Sequence, residues 1–229
     1  MSDLKPFRFV LCAALCLLSV GSAQSALLVN GGFEQPEINF DFVIFAGDPS
    51  LVGWTIVSDP SALGGGSIEI VPDTIRASQG SWHAFAGFQS LDLDGVSRGT
   101  IEQAFATTSG VTYVLSFEYA NNPEPFNFSA NVSVMGATTL LSQQIDHFTS
   151  TTSSMDWAHF SRSFVANSAT TTLRFTSLSE PSSLGGIALD AISVSPVPEP
   201  STLALLAFGL AGLGFSRRKK GRMFAFRQK

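Results

Sequence analysis

Thr112-Tyr113-Val114-Leu115-Ser116-Phe117-Glu118-Tyr119 sends Tyr113, Leu115, Phe117 and Tyr119 to one side of an extended chain and the residues between them to the other. This is the period-two pattern of a strand with one buried face. Thr171 to Ser177 repeats it, with Leu173 and Phe175 on one face and Thr172, Arg174 and Thr176 on the opposite one. Runs of the same character are Ser67–Val71, Trp82–Leu93, Gly99–Thr107, Ser129–Val134, Thr138–Ile145, Trp157–Phe164 and Ile187–Val194. Breakers separate them: Gly64-Gly65-Gly66, Asp94-Gly95, Asn121-Asn122-Pro123 and Pro181-Ser182-Ser183. Helical periodicity is absent from the same region. About nine strands without helices predict an all-β fold, an antiparallel β-sandwich of two sheets in a jelly roll.

The two ends read differently. Met1 to about Ala26 has Lys5 and Arg8, an apolar stretch from Phe9 to Val20 and then small residues, which is a secretory signal helix. Cleavage after Ala23, Ser25 or Ala26 fits equally. Cys12 and Cys16 are the chain's two cysteines, so both leave with this segment and the sandwich has no thiol, disulfide or zinc-thiolate site. At the other end, Val197-Pro198-Glu199-Pro200 is followed by an apolar run from Thr202 to Phe215 and by Arg217-Arg218-Lys219-Lys220. The prolines hold the tetrad extended. The apolar run makes a hydrophobic helix of roughly 21 Å against a hydrocarbon core of about 30 Å, short for a permanent span. The basic cluster would stay on the cytoplasmic side.

This order of tetrad, apolar run and basic cluster resembles the PEP-CTERM sorting signal of Gram-negative bacteria. The resemblance implies an exosortase-type membrane protease as partner, export through the general secretion machinery, and transient anchoring in the inner membrane before processing. It implies a destination at the cell surface or in the extracellular matrix. The tail Gly221 to Lys229 departs from the usual pattern, and a simple C-terminal membrane anchor is the alternative. The chain thus divides into a signal peptide (1–26), a sandwich domain (27–195) and a sorting segment (196–229).

Charge limits the partners. Of the 18 acidic residues all but Asp3 and Glu199 fall between the two ends, where the basic residues are Arg76, Arg98, Arg162 and Arg174 and lysine is absent. Four scattered arginines cannot neutralise a phosphate backbone, which excludes nucleic acid. An acidic surface suits secretion, divalent cations or neutral glycans, and also plain solubility. Catalytic signatures are missing: there is no Gly-x-Ser-x-Gly elbow and no His-Glu-x-x-His, and His83, His147 and His159 are isolated. The expectation is a protein that is not an enzyme, with a glycosidase-type carboxylate pair among the acids as the alternative.

Leu28-Val29-Asn30-Gly31-Gly32-Phe33-Glu34, Gly53-Trp54, Ser67-Ile68-Glu69-Ile70, Ala77-Ser78-Gln79-Gly80, Leu91-Asp92-Leu93-Asp94-Gly95, Ile101-Glu102-Gln103 and Ala188-Leu189-Asp190 follow one another in a known order. Together they resemble the choice-of-anchor C family of bacterial surface proteins, related to a plant cell-wall family of unknown function. That resemblance implies a galactose-binding-like jelly roll over Leu27 to Val194, and carbohydrate-binding modules of the same fold open on a similar strand. By the same likeness Glu34 and Asp190, with Gly32, are expected to hold a structural calcium. Two adjacent carboxylates repel unless a cation joins them, and calcium takes six to eight oxygens. The alternative is that these acids cap turns or pair with arginine. Asp92 and Asp94 read as turn residues.

Trp54, Trp82, Trp157, Tyr119, Phe126 and Phe128 are the sugar-stacking surfaces to weigh, and aromatics within strands are mostly core. The loop after the strongest strand mixes amide, acid and aromatic groups, so Asn121, Asn122, Glu124 and Phe126 are the candidate ligand contacts. The leading expectation is an exported, non-enzymatic protein that binds exopolysaccharide. The alternatives are a structural or adhesive matrix protein without a specific ligand, a glycan-active hydrolase and an ice-binding protein. For the last, the chain lacks a repeated Thr-x-Thr ladder.

Overall fold

A computed structural model describes residues 27–73, 82–123, 127–151, 153–182 and 184–198. The expected signal helix, Glu199, Pro200, the apolar run and Arg217 to Lys220 lie outside these residues. Among the described residues no helix is long and apolar enough to cross a membrane.

The strands are β1 (Phe42–Phe45), β2 (Thr55–Ile56), β3 (Ser67–Pro72), β4 (Gln89–Asp92), β5 (Thr100–Ala106), β6 (Thr112–Asn121), β7 (Phe128–Met135), β8 (Thr139–His147), β9 (Ala158–Val165), β10 (Thr170–Ser177) and β11 (Ile187–Pro196). They form two antiparallel sheets, one of six strands in the order β1-β3-β4-β11-β6-β9 and one of five in the order β2-β5-β10-β7-β8. This is the expected all-β sandwich. Each alternating run contains a strand, with one instructive difference. Trp82–Leu93 is a strand only over Gln89–Asp92, and residues 82–88 form a loop.

Alternation builds the core. Leu115 and Phe117 of β6 face Leu173 and Phe175 of β10 across the sandwich, all at or near complete burial. Phe117 stacks on Phe160 at 4.5 Å and meets Phe175 edge-on at 5.0 Å, so one ring ties β6, β9 and β10 together. A smaller apolar cluster of Val71, Trp82, Ala120, Met155 and Ala188, with Trp157 against it, lies on the outer face of the six-stranded sheet. Val71, Ala120 and Ala188 are the outward residues of β3, β6 and β11. The segments carrying Trp82 and Met155 therefore fold over that face, while the five-stranded sheet keeps its outer face open to solvent.

The opening segment 28–35 has no regular strand, and side chains replace the missing ladder. The Gln103 amide accepts from the Val29 N–H at 2.6 Å and donates to the Val29 carbonyl at 2.9 Å. Gln89 donates to the carbonyls of Phe33 and Pro36. The Ile192 N–H donates to the Gly31 carbonyl at 2.8 Å. A Cβ on Gly31 would stand 2.0 Å from the Ile192 carbonyl oxygen, so only glycine allows this approach. Phe33, fully buried, then packs 5.7 Å from Trp54.

If Phe117 is the link between the sheets, Phe117→Ala should cost about 3–5 kcal/mol in urea unfolding, while outward-facing Thr172→Ala should stay within about 0.5 kcal/mol.

Candidate functional site

The antiparallel register of β11 with β6 shifts between Asp190 and Ser193, and Ala191 takes a left-handed φ of 50°. This bulge turns Asp190 toward the opening segment. A Cβ on Gly32 would lie 3.6 Å from Asp190 Oδ1 and 4.0 Å from Glu34 Cγ, so Gly32, Glu34 and Asp190 share one corner. The structure brings together the three residues singled out for calcium.

Both carboxylates are held by one loop. Asp190 Oδ2 accepts from the Ala86 N–H at 3.0 Å and Oδ1 from its neighbour Ala191 at 2.6 Å. Glu34 Oε1 accepts from Phe88 at 3.0 Å and Gln89 at 3.3 Å. Gly87 lies between, at φ 76°, where a Cβ would fall 2.1 Å from Glu34 Oε1. Burial pushes the Asp190 carboxyl up to about 6, assisted by the negative charge of Glu34 and opposed by the amides of Ala86, Ala191 and Phe85. Two carboxylates in a confined corner are hard oxygen donors of the kind calcium takes, and carbonyls or water would have to complete the shell. Among the described residues there is no group of three or more His, Cys, Asp and Glu that could hold a metal.

The same loop carries aromatics outward. Phe85 is 51% exposed and Phe88 75%. Phe85 meets half-buried Trp157 edge-on at 6.4 Å, and Trp157 Nε1–H donates to the His83 carbonyl at 3.0 Å. His83 Nδ1 lies 2.9 Å from Asp73 Oδ1, which also accepts from the Ala84 N–H. Beneath them Trp82 is buried and donates to Ser90 Oγ at 3.0 Å. On the neighbouring strands Glu118, opposite Asp190 in the register, reaches His159 at 2.6 Å. The result is an aromatic platform whose loop is fastened at several points, flanked by carboxylates and imidazoles.

The loop expected to contact ligand behaves otherwise. Asn121 is buried at the end of β6, with Oδ1 2.7 Å from His147 Nδ1 and accepting from the Ser150 N–H. Asn122 is buried too, and its amide donates to Asp92 Oδ2 at 2.9 Å. Both amides are taken up by the protein itself, which corrects the expectation that they face a ligand. Glu124 and Phe126 lie outside the described residues. Trp54, Trp82 and Phe128 are core. Asp92 Oδ1 accepts from the Asp94 N–H, as a turn residue should, but both acids are fully buried. Burial first, then the charge of Asp94, holds the Asp92 carboxyl well above the usual range. Of the sorting tetrad, Val197 donates its N–H to the Thr112 carbonyl at 2.8 Å, extending β11.

Phe85 and Phe88 were not legible as site residues, because the alternation of Trp82–Leu93 made them part of a strand. Gly87 was the available signal, a turn former between two aromatics.

Comparison with known proteins agrees with this architecture. Residues 26–195 match a family described as protein of unknown function DUF642, and residues 196–219 match the PEP-CTERM protein-sorting motif, which implies an exported protein. Halomucin of Haloquadratum walsbyi is 27% identical over 211 residues, covering 86% of this chain but 2% of its own length. The chain therefore spans a small fraction of that curated relative. Among solved structures, the module TmCBM61 in complex with β-1,4-galactotriose is similar with a TM-score of 0.50 at 14% identity, over 76% of this chain and all of the module. A family 16 carbohydrate-binding module is similar with a TM-score of 0.45 at 18% identity, over 74% of this chain and 99% of the module.

Gly87 offers a test of the corner. Gly87→Ala adds a clash with Glu34 to the left-handed strain, whereas Gly110, at φ 86° with nothing within 4 Å, carries the strain alone. Gly110→Ala should cost about 1–2 kcal/mol and Gly87→Ala more. Equal losses in chemical unfolding would mean that the loop does not sit on Glu34.

Proposed function

The chain belongs to the DUF642 family, and from that premise and its PEP-CTERM tail we propose an exported, non-enzymatic protein that binds exopolysaccharide. The observation that carries this reading is the Phe85–Trp157 platform, in which exposed Phe85 meets half-buried Trp157 from a loop whose backbone is fastened to the carboxylates of Glu34 and buried Asp190. A pyranose presents a flat C–H face to such a ring, and the fastening lowers the entropy lost on binding. The likeness of the fold to a module solved with a galactotriose is consistent with a glycan ligand. On this reading the general secretion machinery exports the chain and an exosortase-type protease processes it near Pro198. It then resides at the surface or in the matrix of a Gram-negative cell.

Calcium belongs to the same proposal, with Glu34, Asp190 and the Gly32 carbonyl as ligands. When bound, it supplies positive charge that offsets the repulsion between the two carboxylates. Glu34 and Asp190 meanwhile keep the loop amides of Ala86 and Phe88 in place.

A structural or adhesive role is the second reading, and one feature favours it. The edge strand β1 continues from Phe40, 60% exposed, and a shallow apolar hollow beside it is lined by Pro36, Ile38, Phe40 and Phe42. Uncovered apolar edges are where copies associate.

Affinity electrophoresis in gels containing neutral β-linked polysaccharides should retard the wild-type chain and release Phe85→Ala, with an affinity loss of about tenfold or more. Calcium at about 100 times its Kd should raise Tm by roughly 5–10 °C, and Glu34→Gln should abolish the rise. Free migration of the wild type in every gel, with self-association of the chain, would favour the adhesive reading. Equal Tm in chelator and in calcium would remove the metal.

A further inference from the structure

We propose that the platform selects a protonated amino-sugar polymer, a glycan of the glucosamine type, over neutral and anionic counterparts. This rests on the glycan reading of the platform and adds the ligand's charge.

The argument is one of charge complementarity around the two rings. Asp73 is tied to the loop that carries Phe85: its carboxylate bonds His83 Nδ1 and the Ala84 N–H, and its side chain is still one-third exposed. Asp156, exposed, immediately precedes Trp157 in the chain. Glu118 with His159 borders the patch on β6 and β9. The described arginines are engaged elsewhere. Arg98 pairs with Asp59 at 2.8 Å, Arg174 with Glu102 at 2.5 Å on the opposite sheet, and Arg162 lies over the Phe160 ring at 5.4 Å. Between Leu27 and Pro198 the chain has no lysine.

A ligand that docks here meets aromatic faces and carboxylates together. Aromatic faces attract cations through the ring quadrupole, and the carboxylates add a field of the same preference. A neutral sugar gains the stacking but not the field. A uronic-acid polymer gains the stacking and is opposed by the field, since like charges placed together across an interface cost affinity. A sugar whose C2 substituent is an ammonium gains both, and acetylating that nitrogen removes the difference without changing the ring or the linkage.

The substitutions that read this out preserve the fold. Asn at 73 retains an oxygen to accept from the Ala84 N–H, and Asn at 156 tolerates the left-handed φ of 48° there. Titration calorimetry on the full chain at pH 6 would compare a β-1,4-linked glucosamine tetramer, its fully N-acetylated form and a galacturonic acid tetramer. The expected result is about tenfold tighter binding of the amine than of the amide, with the uronate weakest. The Asp73→Asn/Asp156→Asn double variant should bring amine and amide to within about twofold of each other, and Phe85→Ala should weaken both by about tenfold. Equal affinity for amine and amide, tighter binding of the uronate, or an amine preference that survives the double variant would overturn the proposal and leave the glycan reading standing. If none of the three tetramers nor any neutral polysaccharide binds, the glycan reading and this inference both fall.

Discussion

The fold depends on a segment that forms no strand. Residues 28–35 lie against β11 without a ladder of their own, and a buried backbone with unmet amides would be costly. The Gln103 and Gln89 side chains meet part of that demand, and the Ile192 N–H, exposed by the bulge in β11, meets another part. Three consequences follow from the one arrangement. Phe33 is delivered to the core beside Trp54, Gly31 must lack a side chain, and Glu34 is carried to Asp190. The opening motif and the closing strand thus define each other, although over 150 residues separate them.

Placing Asp190 in this corner has an electrostatic cost, visible in its carboxyl pushed up to about 6, chiefly by burial and to a lesser extent by the charge of Glu34. The protein offsets it with backbone donors from residues 86–89. Those donors belong to the loop that presents Phe85 and Phe88, so the solution to a stability problem also fixes a surface. Trp82 and Trp157 reinforce it from the side of the outer cluster. The six-stranded sheet is therefore covered on its outer face by the same segments that build the candidate site.

Much of this was legible beforehand. Period-two alternation gave β6 and β10 nearly to the residue, because a sandwich strand with one buried face leaves that mark. It missed β1 and β2, which are four and two residues long and too short for a period to register. Glu34 and Asp190 were named through family resemblance, since no pattern within a strand reveals which distant strands meet. Asn121 and Asn122 were misplaced because an Asn-Asn-Pro run reads as a turn, while β6 in fact runs through Asn121 to pair with Ile187. Their burial depends on His147 and Asp92, partners 26 and 30 residues away. Phe85 and Phe88 were concealed by alternation itself, which does not distinguish a strand from an extended loop anchored by another segment's carboxylates.

The central claim, that the Glu34 corner holds the aromatic loop, is open to amide hydrogen exchange. Wild-type protein should protect Phe88 and Gln89, and Glu34→Ala should speed their exchange by about tenfold or more while leaving core amides such as Leu115 unchanged. Exchange at Phe88 and Gln89 that is the same in both proteins would show that the loop is held by something else, and would contradict the account.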